Sequence, residues 1–330
     1  MTAAVKLQVW KTQYRFILIY GLDLTNLKAS QLKKIEQFQI KILRAIFNLS
    51  KRASAIKLRL LTGTTSMSME IWKSRFGSLN NVMIGSTMVK DLCNLAYYCE
   101  IKNSWTYKTI KKMFEILDTE GASHLVNAET ILTTDRDSFK ENIKNLMFGR
   151  ERRNMERDLR DEDIYTTLPE PFSGGLPIVN TGFSFKMQRE LKAYAALYTG
   201  DFYRIYNGSC PLCTREGRGS ETSSRDDTRH ILSGQCVVDR DPKVEAAWAE
   251  ILMTLEVINR DNTIVRGEHS ETEVMAFLLN PTNISLKNIA VSPEDMQLTG
   301  LDNMIRRFFY LKHRRRYDLL RKFGIINKKK

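Results

Sequence analysis

The sequence predicts a mainly α-helical chain, irregular only around one cluster of cysteine and histidine, and ending in a basic helix. Three observations lead there. Apolar residues recur at three- and four-residue steps through several long windows. The helix-breaking residues concentrate in one stretch, 166–182, where Pro169, Pro171, Gly174, Gly175, Pro177 and Gly182 fall. Three of the five cysteines and one of the four histidines lie between positions 210 and 236.

At 330 residues the chain can hold two or three small domains with cores of their own. Hydrophobic residues make up 42% and charged residues 27%, a globular rather than a disordered composition. No apolar run approaches the roughly 18–20 residues that span a bilayer, so no membrane partner is expected. The opening MTAAVKLQVWK lacks the apolar stretch of a signal peptide. The expectation is an intracellular protein, not a secreted one. In that setting five cysteines point to metal binding rather than to a disulfide scaffold.

The net charge of +13 is concentrated at the ends: residues 1–60 carry +10 and residues 301–330 carry +9, which leaves 61–300 at −6. Basic ends suit contact with a polyanion. The alternative is that these cations merely solvate helix faces.

In chain order, a first segment from Val5 to about Tyr20 closes at Gly21. Ser30 then suits an N-cap, and Leu32, Ile35, Phe38, Ile42, Leu43 and Ile46 form an apolar stripe. Lys33, Lys34, Lys41 and Arg44 fall off that stripe, and Lys51 and Arg52 extend the charge beyond it. These six are candidate nucleic-acid contacts. Met88, Leu92, Leu95 and Cys99 recur at helical spacing, as do Ile110, Met113, Phe114 and Leu117. Cys93 and Cys99 are expected in that core as small hydrophobes. Residues 150–163 mix both signs of charge, as a solvated helix does. After the 166–182 break, a helix from Phe185 to Tyr198 closes at Gly200. Val244, Ala247, Trp248, Ile251, Leu252, Leu255 and Ile258 trace another helix. A loop containing Pro281 separates it from a terminal one, roughly Leu301 to Phe323.

The chemistry sits in Cys210, Cys213, His230 and Cys236, spaced Cys-x2-Cys-x16-His-x5-Cys. Two thiolates on one tight turn and a distant His/Cys pair can complete a tetrahedron around one zinc. The intervening TREGRGSETSSRDDTR has no aliphatic or aromatic residue and builds no core of its own, so a metal must close it. Four protein ligands leave no open position, which predicts one structural Zn2+. His124, His269 and His313 have no comparable partners in the sequence.

The stretch ALYTGDF…CPLC…DTRHILSGQC resembles the zinc-binding segment that follows the polymerase in non-LTR retrotransposon reverse transcriptases. Thr199-Gly200, Cys210, Cys213, Asp227-Thr228, His230, Leu232 and Cys236 stand in that family's order. YRFILIYGLDL…KKIEQFQIKILRAIFNLSKR is similar to the family segment just past the palm, where the thumb leads to a helical linker. The 16-residue gap is longer than the family's usual one. The resemblance implies a thumb-like basic segment (1–65), a helical linker (66–165), a junction (166–182), a CCHC zinc-binding module (183–240) and C-terminal helices with a basic tail (241–330). It further implies that the chain holds template RNA or target DNA in target-primed reverse transcription. An upstream polymerase region is a further expected partner, and a nuclear site or a cytoplasmic ribonucleoprotein the expected location.

The sequence has no Tyr/Phe-x-Asp-Asp box to hold catalytic metals, no endonuclease carboxylate cluster and no phosphate-binding Gly-Lys-Ser/Thr loop. A binding role is therefore expected of this chain rather than catalysis. In the terminal segment Arg306, Arg307, Arg314, Arg315 and Arg316 alternate with Phe308, Phe309, Tyr310 and Tyr317. That pattern suits phosphate contact, with Ile305, Phe308, Leu319, Leu320 and Phe323 on a buried side. The Arg triplet also suits a nuclear import signal. Three other readings stay open: a fragment that is enzymatically active only when joined to its palm domain, a zinc-organised protein-interaction module, and a decayed element fragment.

Overall fold

The computed structural model describes residues 1–85, 87–119, 135–160, 185–201, 210–215, 230–231, 236–258 and 299–326, and every regular element among them is a helix. The 166–182 junction and the Pro281 loop lie outside the described residues. Among those described, no helix is long and apolar enough to cross a membrane.

Helix α1 (Ala3–Val9) passes through one π-helical turn (Trp10–Tyr14) into α2 (Arg15–Ile19). The run ends where Gly21 takes φ +74°, a left-handed conformation that costs glycine little. Helix α3 (Ala29–Phe47) follows. Its buried side is Ile40, Leu43 and Phe47, whereas Phe38 is 49% exposed. The expected stripe thus has the right period and a shifted phase.

The chain divides into two compact units, one of residues 9–41 and 65–158, the other of 1–8, 42–64 and 159–330. The first 65 residues, expected as one segment, are shared between them.

In the unit of residues 9–41 and 65–158, helices α5 (Met67–Gly85), α6 (Thr87–Tyr98), α7 (Trp105–Thr119) and α8 (Arg136–Arg160) enclose a core. Phe76, Leu79 and Met83 meet Ile110, Met113, Phe139 and Met147 there. Each such side chain contributes about 1.5–3 kcal/mol by leaving water. Asp23 anchors the preceding turn to this core. Its carboxylate accepts from Ser78 (2.8 Å) and Ser74 (3.2 Å), and its carbonyl accepts from Arg75 Nε (2.8 Å) and Trp105 Nε1 (2.6 Å). On α6 only Cys93 is buried, while Met88, Leu92 and Leu95 are 73%, 54% and 56% exposed and Cys99 is exposed. The expected inward stripe therefore faces outward. A 3.6-residue repeat fixes which residues share a face, but not which face finds a neighbour.

In the unit of residues 1–8, 42–64 and 159–330, α9 (Phe185–Tyr198) and α11 (Pro242–Ile258) both pack on α12 (Leu301–Lys322). Tyr194 meets Phe309 edge-on at 5.4 Å, and Trp248 meets Phe308 at the same distance. Helix α4 (Ala55–Thr62) begins at Ser54, whose hydroxyl accepts from Lys57 N. The Thr199-Gly200-Asp201 turn that closes α9 holds this region. Thr199 O accepts from Ser54 N (3.0 Å), and the Asp201 carboxylate accepts from both Ser50 N (2.7 Å) and the Ser50 hydroxyl.

Glu70 carries a testable consequence. Its carboxylate lies 2.5 Å from Arg15 and 2.9 Å from Lys73, and accepts from the Thr65 hydroxyl at 2.6 Å. Burial opposes ionisation, but Arg15, Lys73 and Thr65 outweigh it and hold the pKa below 4.5. A pKa depressed on folding gives stability that is complete above the unfolded value and lost as pH falls through the folded one. Denaturant titrations from pH 7 down to pH 3 should show an acid-side loss of stability below about pH 4.5 that Glu70→Gln makes shallower. An unchanged acid limb would remove Glu70 from the explanation.

Candidate metal centre

Cys210 stands immediately before a short helix, α10 (Pro211–Arg215), and Cys213 lies within it. One turn separates the two, so their sulfurs project to the same side. Thr214 N donates to Cys210 O at 3.0 Å and closes that turn. Cys236 begins a 3-10 turn (Val237–Arg240) in a reciprocal cap: Cys236 N donates to Asp239 Oδ2 (3.2 Å) and Asp239 N to Cys236 O (2.9 Å). His230 completes the set.

All four side chains are buried, and their ligand atoms lie within 4.8 Å of one another. Cys213 Sγ is 3.3 Å from His230 Nε2 and 3.9 Å from Cys236 Sγ. A tetrahedral ion with sulfur at about 2.3 Å and nitrogen at about 2.0 Å requires ligand–ligand edges of roughly 3.5–3.8 Å. The cluster fits one such ion. All three cysteines are free thiols, so no disulfide competes for the sulfurs.

The electrostatics agree with the geometry. S–H groups of Cys213 and Cys236 hold the Cys210 thiol far below the usual thiol range, while contacts with Cys210 and Cys213, together with burial, push the Cys236 thiol far above it. Burial opposes a charge on His230, yet the sulfurs of Cys210 and Cys213 raise its pKa to about 9. Several thiolates packed this closely repel one another. A divalent cation removes that conflict and lets all three sulfurs ionise.

Helix α12 supplies the surroundings. Arg316 is fully buried, and its Nη1 donates to Cys210 Sγ at 3.6 Å. Three thiolates, a neutral imidazole and a divalent ion sum to −1, which one guanidinium offsets. Lys312 is fully buried and ion-paired with Asp239, the residue that caps Cys236. Leu319 and Leu320 share an apolar cluster with Leu212, Val237 and Val238. Arg215 donates to Phe323 O at 2.9 Å, with its guanidinium 5.0 Å from the Phe323 ring centre.

The predicted polyanion contacts separate into groups. Lys33, Lys34 and Lys41 are exposed in the unit of 9–41 and 65–158, and Lys51 and Arg52 are exposed in the other. Arg44 is half-buried and donates to Ala53 O at 2.6 Å. Arg307, Arg314 and Arg315 are exposed beside Glu250 (3.6 Å), Asp318 (3.9 Å) and Asp241 (3.0 Å). Arg306 and Arg316 are buried, Arg306 against Asp302 at 3.3 Å, so neither presents a charge to solvent. Sequence reasoning grouped Arg316 and Lys312 with the phosphate-contacting cations and passed over Asp239. The available signal was position: Lys312, Arg316 and Leu320 repeat every four residues on one helix face. His313 lies outside the cluster, with burial, Lys192 and Arg316 lowering its pKa to about 4. Asp227, Thr228 and Leu232 of the family pattern lie outside the described residues.

Comparison with protein-family models, curated proteins and solved structures finds no match to this chain. The site's own chemistry therefore carries the assignment: a buried Cys3His cluster able to hold one metal ion.

Metal analysis of the purified chain should find about one divalent ion per molecule, and Cys210→Ser/Cys213→Ser should abolish it. Arg316→Met should weaken the metal about 10- to 100-fold, the usual penalty for losing a group that supports a ligand, and Arg316→Lys should weaken it less. Competitive chelator titration checks both. Equal affinity in Arg316→Met would deny the guanidinium this role.

Proposed function

We propose that the cluster binds one structural zinc and that the chain is a nucleic-acid-binding module of the type that follows the polymerase in non-LTR retrotransposon reverse transcriptases. The observation that carries this is the convergence of Cys210, Cys213, His230 and Cys236. Three sulfurs and one imidazole in a tetrahedral set favour zinc among the common divalent ions. With every position filled by protein, such an ion organises the fold and leaves no place for a reacting water. The order Thr199-Gly200, Cys-x2-Cys, His-x-Leu, Cys then supports the family reading.

In this reading, template RNA or target DNA meets the exposed cations. Lys33, Lys34 and Lys41 form one set, Lys51 and Arg52 a second, and Arg307, Arg314 and Arg315 a third. Zinc fixes the short elements against α12 and so fixes where the third set points. Phosphate contacts dominate the affinity, and sequence preference is weak. A second reading is a zinc-organised protein-interaction module. The exposed apolar residues Met88, Leu92 and Leu95 favour it, and an upstream polymerase region would be one such partner.

Fluorescence anisotropy with RNA and duplex DNA oligonucleotides at 50–200 mM salt is the test. Affinity should fall steeply with salt. Arg314→Gln/Arg315→Gln should reduce the slope by about 0.7 per lost contact on single strands and about 0.9 on duplex. Absence of salt-dependent binding to either nucleic acid would move the assignment to the protein-interaction module.

A further inference from the structure

The unit of residues 9–41 and 65–158 contains a groove of about 790 Å³ whose lining is strongly cationic. Lys28 precedes α3, Arg75 comes from α5, Lys108, Lys111 and Lys112 from α7, and Arg150 from α8. Among the described residues, two carboxylates line it with them, and both are engaged. Glu151 accepts from Ser66 N and the Ser66 hydroxyl, each at 3.0 Å, and thereby caps the start of α5. Glu115 pairs with Lys112 at 2.7 Å. Arg75 is spent on the Asp23 and Thr25 carbonyls and on the Trp72 ring, 4.8 Å from its guanidinium carbon.

Four cations remain. Among the described residues, the side chains of Lys28, Lys108, Lys111 and Arg150 make no ion pair. The Nη1 atom of Arg150 is buried and has no hydrogen-bond partner. A buried donor left unmatched is rare in a folded protein and marks a place where an acceptor is wanted. Four like charges lining one groove also repel one another, so an anion that enters relieves the site electrostatically.

We infer that this groove is a second polyanion site, taking the phosphodiester backbone of a nucleic-acid strand between Lys28, Lys108, Lys111 and Arg150. The inference rests on the nucleic-acid reading above but concerns none of the residues used there. The cations come from three separate parts of the chain, and Lys108 and Lys111 follow one another along α7. That arrangement suits successive phosphates better than one small anion, which needs its donors gathered at a point. RNA and DNA offer the same backbone chemistry, so both serve as probes.

The experiment uses the full chain. Lys108→Gln/Lys111→Gln removes two half-exposed or exposed charges without touching the core, and Lys140→Gln/Lys144→Gln on α8 removes two exposed charges outside the groove. Binding of 20-nucleotide single-stranded RNA and DNA is measured across a salt series. The groove variant should lose roughly tenfold or more in affinity at low salt and about 1.4 in slope, as two phosphate contacts require, while the control pair stays close to the parent. Groove and control variants that weaken equally would overturn the groove and leave the proposed function standing. A parent chain that binds neither strand would overturn both. Poly-glutamate competing as well as RNA would also overturn the inference, in favour of an acidic protein partner.

Discussion

Three sulfur atoms and one imidazole nitrogen, buried within 4.8 Å of one another, are the constraint on which the C-terminal part of this structure depends. As thiolates packed this closely they repel one another. A cation at their centre would turn that conflict into cohesion, and the free energy of binding it would become free energy of folding. The polar stretch between Cys213 and His230 has no side chain able to form a core, so it supplies no apolar cohesion of its own.

The outer shell explains why the last helix is basic on its inside. Lysine and arginine are seldom fully buried unless paired. Here Arg316 faces Cys210, Lys312 faces Asp239 and Arg306 faces Asp302. Removing one partner of such a pair typically costs about 3–5 kcal/mol, because it strands a charge. Helix α12 is therefore tied to the metal cluster by charge as well as by Leu319 and Leu320. Its outward residues Arg307, Arg314 and Arg315 inherit a fixed position from that attachment. In the proposed function, a structural metal would serve a binding surface in this way without touching the ligand.

Much of this was legible in the sequence, and what was not has physical reasons. The four ligands could be read because metal geometry demands few residue types at tight local spacing. Helix positions could be read because apolar periodicity is local: α9 and α12 end within a residue or so of where Gly200 and Phe323 suggested. Facing was harder. Met88, Leu92 and Leu95 share one side of α6, yet Cys93 and Tyr97 are the residues that meet the core, because neighbouring helices decide which side is covered. The same limit moved the buried side of α3 to Ile40, Leu43 and Phe47. For Arg316 the helix repeat showed only that it shares a face with Lys312 and Leu320; the identity of its partner, 106 positions away, was not local information. The division into two units shares that cause, as each is assembled from segments far apart in sequence.

X-ray absorption at the zinc edge tests the central claim most directly, because it counts ligand atoms around the ion in solution. Three sulfurs at about 2.3 Å and one nitrogen at about 2.0 Å are the result this account requires. A first shell containing oxygen, or fewer than three sulfurs, would mean that Cys210, Cys213, His230 and Cys236 do not close on a common ion, and would contradict it.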